Sequence, residues 1–506
     1  MSVGKKKAIV TMLGTVGGYC EKENNKKGVY KPEIKKAIYT SEIKEISETK
    51  SINSFPILIK AYAENYVVIP IYTACARDIQ EKVLSQEGLK FNFDPKYEIE
   101  NDMDFDTVFG KIDEIVSAYD KVIIDVSHGY RHLPILMIIN AVMHNIESID
   151  KIERIIFARE IEQYKKYVFV DLKRYLDLAN ISYALTTFDR NYTVANNVKV
   201  SDKKLNDLLI TLSSFSQHIL ANSIDELLLD TNKHKSITSQ LIEEIDGLKR
   251  SDEIIFQNLN RLLEKTLTHL KDVSSFKHKE EHQKLYYLSK NMYEKGYLLN
   301  SITLLSEATG IYAMNQLKTI DLKISEFIDE FEEEARIEKN NQNRFFEIYT
   351  LYNQSKAFYN NQERYHGKFL EVKKYSKNNP KTSQKISKWN KKTEKITNII
   401  KNNIHNIVNN NIMDLNRKVD VIRNNLAHAN SSIRLKEVND DIRKVLNDFY
   451  EYCIQKDVLR TQNNPKVPKT DKKPQQATET GTQQKTMPNG EVRQVKTLKP
   501  RLKPKQ

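Results

Sequence analysis

An arginine and a histidine, five positions apart near the C-terminal end of the chain, are of types that can do chemistry on a phosphate. Arg423 is a permanent cation, and a histidine such as His428 can take up or release a proton near neutral pH. Together they can stabilise a crowded anionic phosphate and move protons around it, which suffices to cut RNA without a metal ion. The motif R-x-x-x-x-H is short, however, and two solvated residues on a helix are the structural alternative.

The segment that carries this motif, from Asn410 to Tyr452, has the apolar spacing of an amphipathic helix. On a regular helix His428 would lie about 140° around the axis from Arg423, so the two side chains would point in different directions. We therefore expect either a distortion of the helix at this point or a site formed where two copies of the motif meet across a dimer interface.

Composition restricts the class of protein. Of the 506 residues, 39% are hydrophobic and 29% are charged, and we see no apolar run long enough to span a bilayer. The cysteines Cys20, Cys75 and Cys453 are too scattered for a metal site or a disulfide framework, which predicts a cytoplasmic protein. The formal charge is +13, but eight of these charges are a surplus that lies from Thr461 onward, so the body of the chain is only modestly basic.

The N-terminal part of the chain alternates short, apolar, β-branched runs with helical patterns. The predicted strands are Ala8–Leu13, Tyr66–Tyr72, Val122–Val126, Arg154–Phe157 and Tyr167–Val170, and the predicted helices are Phe55–Glu64, Arg77–Gln86, Phe105–Ala118 and Leu133–Ile149. Because the strands are apolar throughout, this alternation predicts a parallel sheet that is covered on both faces. Ligands of such sheets bind beyond the carboxyl ends of the strands.

Three of the loops that follow predicted strands carry hydroxyl groups, glycines or a cation. The candidate ligand-binding residues in them are Gly14, Thr15, Thr73, Ser127, His128, Gly129 and Arg131. Such groups at strand-to-helix turns are typical of a site for a phosphate or a nucleotide. A dinucleotide cofactor is the weaker interpretation, because the first loop reads G-T-V-G-G rather than G-x-G-x-x-G and a charged stretch follows it.

The run from Asp125 to Pro134, D-V-S-H-G-Y-R-H-L-P, resembles the D-x-T-H-G-x-R-x-x-P signature of CRISPR-associated proteins of the CARF–HEPN class. The stretch from Phe157 to Leu185 and the motif at Arg423 are similar to that class as well. The chain departs from the signature at Ser127, where the class usually has threonine. The hydroxyl group is kept and only a methyl group is lost.

This resemblance implies a Rossmann-like CARF domain that binds cyclic oligoadenylate, the second messenger of type III CRISPR interference. Two copies of the post-strand loops that face each other across a two-fold axis suit a ring-shaped, symmetric polyphosphate. We expect cyclic tetra-adenylate rather than hexa-adenylate as the activator, no cofactor and no metal, and a homodimer or a higher even oligomer. The ring size does not follow from the sequence itself.

Beyond about Asn191 the apolar spacing predicts helices only. The predicted fold class is therefore α/β plus all-α, with a CARF domain at residues 1–190, a helical connector at 191–275 and a helical-bundle HEPN domain at 276–460. The connector and the HEPN assignment follow the resemblance.

Two segments of this helical half are unusual in composition. Residues 320–400 are rich in Asn, Lys and Glu and are predicted to form a polar insertion of two long, exposed helices with a break near Pro380. Residues 461–506 hold six of the twelve prolines and few apolar residues, which predicts a disordered basic tail. The tail either holds RNA loosely or has no role of its own.

The function predicted from these features is that of a metal-independent endoribonuclease that cyclic oligoadenylate activates and that cuts single-stranded RNA. His428 is expected to act as acid or base, Arg423 to offset charge on the phosphate, and Asn424 to orient the phosphate or the imidazole. The alternative is a non-catalytic sensor that recruits a partner through its helical domain. Whether the CARF domain also degrades its own ligand stays open.

Overall fold

The computed structural model describes most of the chain up to residue 455. The described residues are 6–15, 18–20, 28–29, 35–100, 104–129, 132–148, 150–195, 198–232, 234–340, 348–360, 368–370, 380–428 and 434–455. The predicted tail at 461–506 lies outside them, as does Arg131. None of the described helices combines the length and apolarity that crossing a bilayer requires.

The N-terminal part is built on a seven-stranded sheet and a separate two-stranded one. The strands are β1 (Lys7–Met12), β2 (Tyr19–Cys20), β3 (Gly28–Val29), β4 (Ala37–Ser41), β5 (Thr49–Ser51), β6 (Val67–Ile71), β7 (Lys121–Asp125), β8 (Ile152–Glu162) and β9 (Lys166–Asp171). The large sheet has the order β5-β4-β9-β8-β7-β1-β6, and β2 pairs with β3. All five predicted strands are present.

The large sheet is mixed rather than all-parallel as predicted. Strands β6, β1, β7 and β8 run parallel, but β9 is antiparallel to β8 and β5 is antiparallel to β4. Only residues 163–165 connect β8 to β9, and so short a link allows a hairpin but not the crossover that parallel strands need. Tyr164 makes this turn with a left-handed φ of 57°.

Helices cover both faces of the sheet, as predicted. They are α1 (Ser54–Tyr62), α2 (Ala74–Gln86), α3 (Phe105–Ser117), α4 (His132–Glu147) and α5 (Lys173–Asn191). Alternate residues of β1 pack on opposite faces: Val10 belongs to the cluster that buries α2, α3 and α4, and Ile9 belongs to the cluster with Leu58 of α1. A strand that is buried on both sides must be apolar throughout, which is why β1 could be predicted from its sequence.

The rest of the described chain is helical. Its helices are α6 (Lys203–Leu220), α7 (Ile224–Leu228), α8 (Ile237–Lys249), α9 (Ile254–Ser275), α10 (Glu281–Glu294), α11 (Leu298–Lys318), α12 (Leu322–Asn340), α13 (Ile348–Tyr359), α14 (Pro380–Asn403), α15 (Asn410–Ala427) and α16 (Leu435–Phe449). One hydrophobic cluster runs through them from Ile181 to Ile454. The predicted connector and bundle therefore share a core.

The prediction of two long, exposed helices for residues 320–400 is wrong. The structure has three helices there, α12, α13 and α14, and each contributes to the common core. Trp389 of α14 is buried, with its ring centroid 5.3 Å from that of Phe327 and 5.9 Å from that of Phe331 on α12. The prediction failed because the apolar stripe on each helix is narrow and lies among many polar residues. The break is where it was predicted, because α14 begins at Pro380.

Cys75 is disulfide-bonded, which corrects the expectation that the scattered cysteines form no disulfide. It lies in the first turn of α2, and β3 packs against that helix. Tertiary packing thus brings a segment that is remote in the sequence onto the helix, and the spacing of cysteines along a chain carries no information about such an approach.

Gly310 marks the closest approach of α11 and α13. A Cβ atom at this position would lie 2.9 Å from the Cβ atom and 3.2 Å from the backbone oxygen of Tyr352. Gly310→Ala is expected to lower the free energy of unfolding by about 1–3 kcal/mol because the two helices must separate. Gly247→Ala is the matched control, since nothing lies within 4 Å of a Cβ atom there and α8 should gain about 1 kcal/mol. Equal stability of the two variants in urea titrations would contradict the close approach.

Candidate functional site

The loops after β1, β6 and β7 meet at one edge of the sheet, because β7, β1 and β6 are neighbours and run parallel. Gly14 and Gly129 come closest: a Cβ atom on Gly14 would lie 3.4 Å from the backbone nitrogen of Gly129. Gly129 has a φ of 106°, and a Cβ atom there would lie 3.1 Å from the Cβ atom of Met12. Both the backbone conformation and the lack of space require glycine at position 129.

A buried carboxylate organises this edge. Asp125 ends β7 and is fully buried. Its Oδ2 accepts a hydrogen bond from Thr11 Oγ1 on β1 at 2.7 Å, and its Oδ1 accepts from the backbone nitrogen of Ser127 at 3.1 Å and from Ser127 Oγ at 2.5 Å. Burial raises the pKa of Asp125, and these hydrogen bonds and the nearby His128 oppose that rise.

The side chains of Ser127 and His128 both bind to the protein itself. Ser127 Oγ donates to Asp125 and accepts from the backbone nitrogen of Ala158 on β8 at 2.8 Å. The Nε2 atom of His128 accepts from the backbone nitrogen of Ser54, at the start of α1, at 3.2 Å. These contacts hold the loop in place. The predicted contacts of both side chains with a ligand stay predictions, and the geometry favours positioning of the loop as their role.

The remaining candidates present different groups to this edge. Thr73 caps α2 by accepting a hydrogen bond from the backbone nitrogen of Ala76 at 3.3 Å, which leaves its hydroxyl proton available to an acceptor. Thr15 is half-buried in the loop after β1. The structure therefore brings Gly14, Thr15, Thr73 and the Ser127–Gly129 loop to one edge.

Two buried amides that were not predicted support the first loop. Gln80 of α2 is fully buried and donates from Nε2 to the carbonyl oxygen of Gly14 at 3.0 Å. The Oε1 atom of Gln80 accepts from Nδ2 of Asn53, the cap of α1, at 3.0 Å. The sequence signal that could have identified Gln80 is its position on the apolar side of the helix, next to Ile79.

His128 makes the stability of this edge dependent on pH. Burial lowers its pKa below the usual 6.5, because the folded protein favours the neutral ring. The contribution to stability is complete above about pH 6.5 and is lost as the pH falls toward the lower pKa of the folded state. The stability advantage of the wild type over His128→Gln is therefore expected to shrink between pH 7 and pH 5, as measured by urea unfolding. A constant difference between pH 7 and pH 5 for His128→Gln would contradict the buried neutral ring.

The second candidate region lies at the end of α15. The helix ends at Ala427, and His428 is its C-terminal cap, with φ −101°, ψ 13° and its backbone nitrogen donating to Asn424 O at 3.0 Å. His428 and Asn424 are exposed, whereas Arg423 is half-buried. The imidazole is thus attached at the residue where the helix ends, and its backbone nitrogen still makes the hydrogen bond of a regular helix. The two expectations, a distorted helix and a site shared by two copies, stay predictions.

A cluster of charges surrounds the segment before His428. Lys356 of α13 is buried, and its Nζ donates to Asp420 Oδ1 at 2.5 Å and to Ser306 Oγ of α11 at 3.1 Å. Next to Ser306 lies Glu307, whose pKa is raised by burial, while the positive charge of Arg423 opposes the rise. These contacts join α11, α13 and α15 at the turn of helix that carries Arg423.

Sequence reasoning missed Glu307, Lys356 and Asp420. The only signal that the sequence offered was their position among apolar residues on otherwise amphipathic helices. Among the described residues, no group of three or more histidine, cysteine, aspartate or glutamate side chains is arranged to hold a metal ion.

Comparison of the sequence with protein-family models gave no match, and comparison with curated proteins gave none either. The candidate sites therefore have to be interpreted from their own chemistry.

Proposed function

We propose that the chain is an endoribonuclease of the CARF–HEPN kind, which cyclic oligoadenylate activates and which cuts single-stranded RNA without a metal ion. The observation that carries the proposal is that α15 bears both an exposed His428 at its end and a half-buried Arg423 five residues before it. The exposed imidazole is accessible to a polymeric substrate. The half-buried arginine has fewer rotamers than a solvated one and so holds its charge in a defined direction.

In the proposed reaction His428 takes the proton of a ribose 2′-hydroxyl as that oxygen attacks the adjacent phosphorus atom. The bond from phosphorus to the 5′-oxygen breaks, and this oxygen leaves with a proton from an acid, for which the imidazole of a second copy is suited. Arg423 offsets the negative charge of the pentacoordinate phosphate, and Asn424 orients the phosphate or the imidazole. The products are a 2′,3′-cyclic phosphate and a 5′-hydroxyl.

The ligand in this proposal binds at the edge formed by the loops after β1, β6 and β7. Backbone groups at Gly14 and Gly129, together with the hydroxyls of Thr15 and Thr73, offer hydrogen bonds to phosphate and ribose. Arg131, which lies outside the described residues, would supply the cation. The fold offers a route for coupling, because Leu176 of α5 packs in the core of the sheet while Phe188 of the same helix packs in the helical core.

The end groups of the RNA fragments test the proposed reaction. The purified chain is incubated with labelled single-stranded RNA and cyclic tri-, tetra- or hexa-adenylate in EDTA. Fragments that end in a 2′,3′-cyclic phosphate and begin with a 5′-hydroxyl are expected. Fragments with 5′-phosphates, or cleavage that requires a divalent cation, would contradict the mechanism. Ligand binding without cleavage would favour the non-catalytic sensor.

A further inference from the structure

Helix α14 carries a row of lysines on its exposed face. Lys388, Lys391 and Lys395 are all exposed, and on a regular helix their side chains lie within an arc of about 60° around the axis. Exposed amides continue this row toward both ends of the helix, and they are Gln384, Asn398 and Asn402. These six residues form what we call the α14 stripe, which is about 27 Å long. The stripe holds three positive charges and no negative one.

The lysines of the α14 stripe differ from other lysines of this region in their surroundings. Lys392 on the same helix pairs with Glu330 of α12 at 2.7 Å, and Lys368 pairs with Glu394 at 3.7 Å. The two carboxylates are thus compensated by cations outside the stripe. In the part of the chain that the structure describes, none of the three stripe lysines forms an ion pair. Three neighbouring cations without counter-charges favour an anionic partner.

The opposite face of α14 distinguishes the kinds of anionic partner. Its large apolar side chains Ile386, Trp389, Ile396 and Ile400 are packed in the helical core, so they cannot enter a bilayer as the apolar face of a membrane-surface helix does. Lysine and amide side chains are among the groups that bind the phosphate and sugar oxygens of nucleic acids. A nucleic-acid backbone presents its negative charges in a row, as the stripe presents its cations. The α14 stripe therefore fits such a backbone.

The α14 stripe and the candidate catalytic residues lie on consecutive helices. Residues 404–409 connect α14 to α15, which carries Arg423 and ends at His428. A strand that is bound along α14 and cut at His428 must extend over both helices. Only a strand of many nucleotides can do so, which suits a polymeric substrate.

We propose that the α14 stripe binds the backbone of single-stranded RNA, without regard to its sequence, and holds the substrate while it is cut at His428. That the strand is RNA, and that it is cut, rests on the proposed function, whereas the binding of a phosphate backbone does not. Contacts between lysines and phosphates carry no sequence information, so the stripe adds affinity rather than base preference.

The salt dependence of RNA binding tests the α14 stripe. Binding of labelled single-stranded RNA of about 16 nucleotides is measured by fluorescence anisotropy in EDTA, without activator, so that the result does not depend on cleavage. The triple variant Lys388→Gln/Lys391→Gln/Lys395→Gln is expected to bind about 10–100-fold more weakly at about 0.1 M salt. The slope of the logarithm of the association constant against the logarithm of salt concentration should become shallower by about 2, because three phosphate contacts are lost.

Two further triple variants control for net charge and for folding. Lys165→Gln/Lys204→Gln/Lys235→Gln removes the same charge from exposed lysines that each pair with a glutamate, and it should bind RNA as the wild type does. Replacement of the three stripe lysines by arginine keeps their charge and should keep both the affinity and the salt slope.

Four outcomes would overturn the inference. They are wild-type RNA binding by the glutamine variant of the stripe, an equal loss in the control variant, a loss in the arginine variant as large as in the glutamine variant, and loss of binding to anionic phospholipid vesicles with RNA binding unchanged.

Cleavage kinetics test whether the bound strand is the substrate. With cyclic oligoadenylate present, the glutamine variant of the stripe should show a KM for the same RNA that is about 10–100-fold higher. Its kcat should be unchanged, because Arg423 and His428 are intact. An unchanged KM would overturn the role of the stripe in holding the substrate. RNA binding through the stripe without cleavage by the wild type would refute the proposed function alone.

Discussion

Replacement of His428 or Arg423 by alanine is expected to reduce ligand-activated RNA cleavage by about 10²–10⁴-fold, the range that loss of an acid–base group or of a charge-stabilising group produces. His428 is exposed at the cap of α15, so its loss should leave the fold unchanged. Initial rates with labelled RNA in EDTA, at saturating activator, measure the effect.

Two further variants show whether the loss is chemical. His234→Ala removes an exposed histidine between α7 and α8 and should keep the wild-type rate. Arg423→Lys keeps the charge but not the planar guanidinium, so it should retain only part of the activity. If His428→Ala sediments and binds the activator as the wild type does, the loss of cleavage lies in the chemical step. Wild-type cleavage by His428→Ala would contradict the assignment.

Asp420→Asn is expected to lower the free energy of unfolding by about 2 kcal/mol, less than the loss from a fully buried ion pair because the carboxylate is partly exposed. The buried ammonium of Lys356 would lose the negative charge that compensates it, and its remaining partners would be the neutral oxygen atoms of the amide and of Ser306. Urea unfolding measures this change. The RNA-cleavage rate should fall as well, because the turn of α15 that holds Arg423 would lose its anchor.

The same helix offers a control. Asp414 pairs with Arg417 at the surface of α15, and Asp414→Asn should change the unfolding free energy by no more than about 0.5 kcal/mol. The double variant Lys356→Met/Asp420→Asn should recover part of the stability that Asp420→Asn loses, because no buried charge is then left unpaired. Additive losses would show that Lys356 and Asp420 do not interact.

The apolar sequence of the central strands made them predictable. Strands β1 and β7 and the second half of β6 are buried on both faces, and the predicted bounds of the three strands differ from the observed ones by one residue at either end. Strand β4 was missed because it is half-buried: Ala37 and Tyr39 face the core while Ile38 is exposed. Its place beside β9, far along the chain, depends on tertiary pairing that short runs do not reveal.

Helix breaks were harder to predict than helices. In the sequence an uninterrupted helical spacing of apolar residues runs from Leu285 to Leu317, but the structure divides it into α10 and α11 at Gly296, which has a φ of 84°. The apolar spacing continues across this turn because both helices pack on the same core, so periodicity alone did not show the break.

The candidate sites were predictable as sets of residue types but not as contacts. The approach of Gly14 to Gly129 follows from the rule that neighbouring parallel strands end at one edge. The partners of Ser127 and His128, which are Ala158 and Ser54, come from other elements and could not be read from the motif. The electrostatic interaction between Arg423 and Glu307 likewise depends on how α15 packs on α11.

The most direct test of the proposed function is the ratio of RNA-cleavage rates with and without the activator. Wild-type protein in EDTA is given single-stranded RNA and a titration of cyclic tetra-adenylate, with hexa-adenylate and linear tetra-adenylate for comparison. The proposed function predicts slow or undetectable cleavage without a ring and a saturable increase with one of the rings. Equal rates with and without every ring would contradict it.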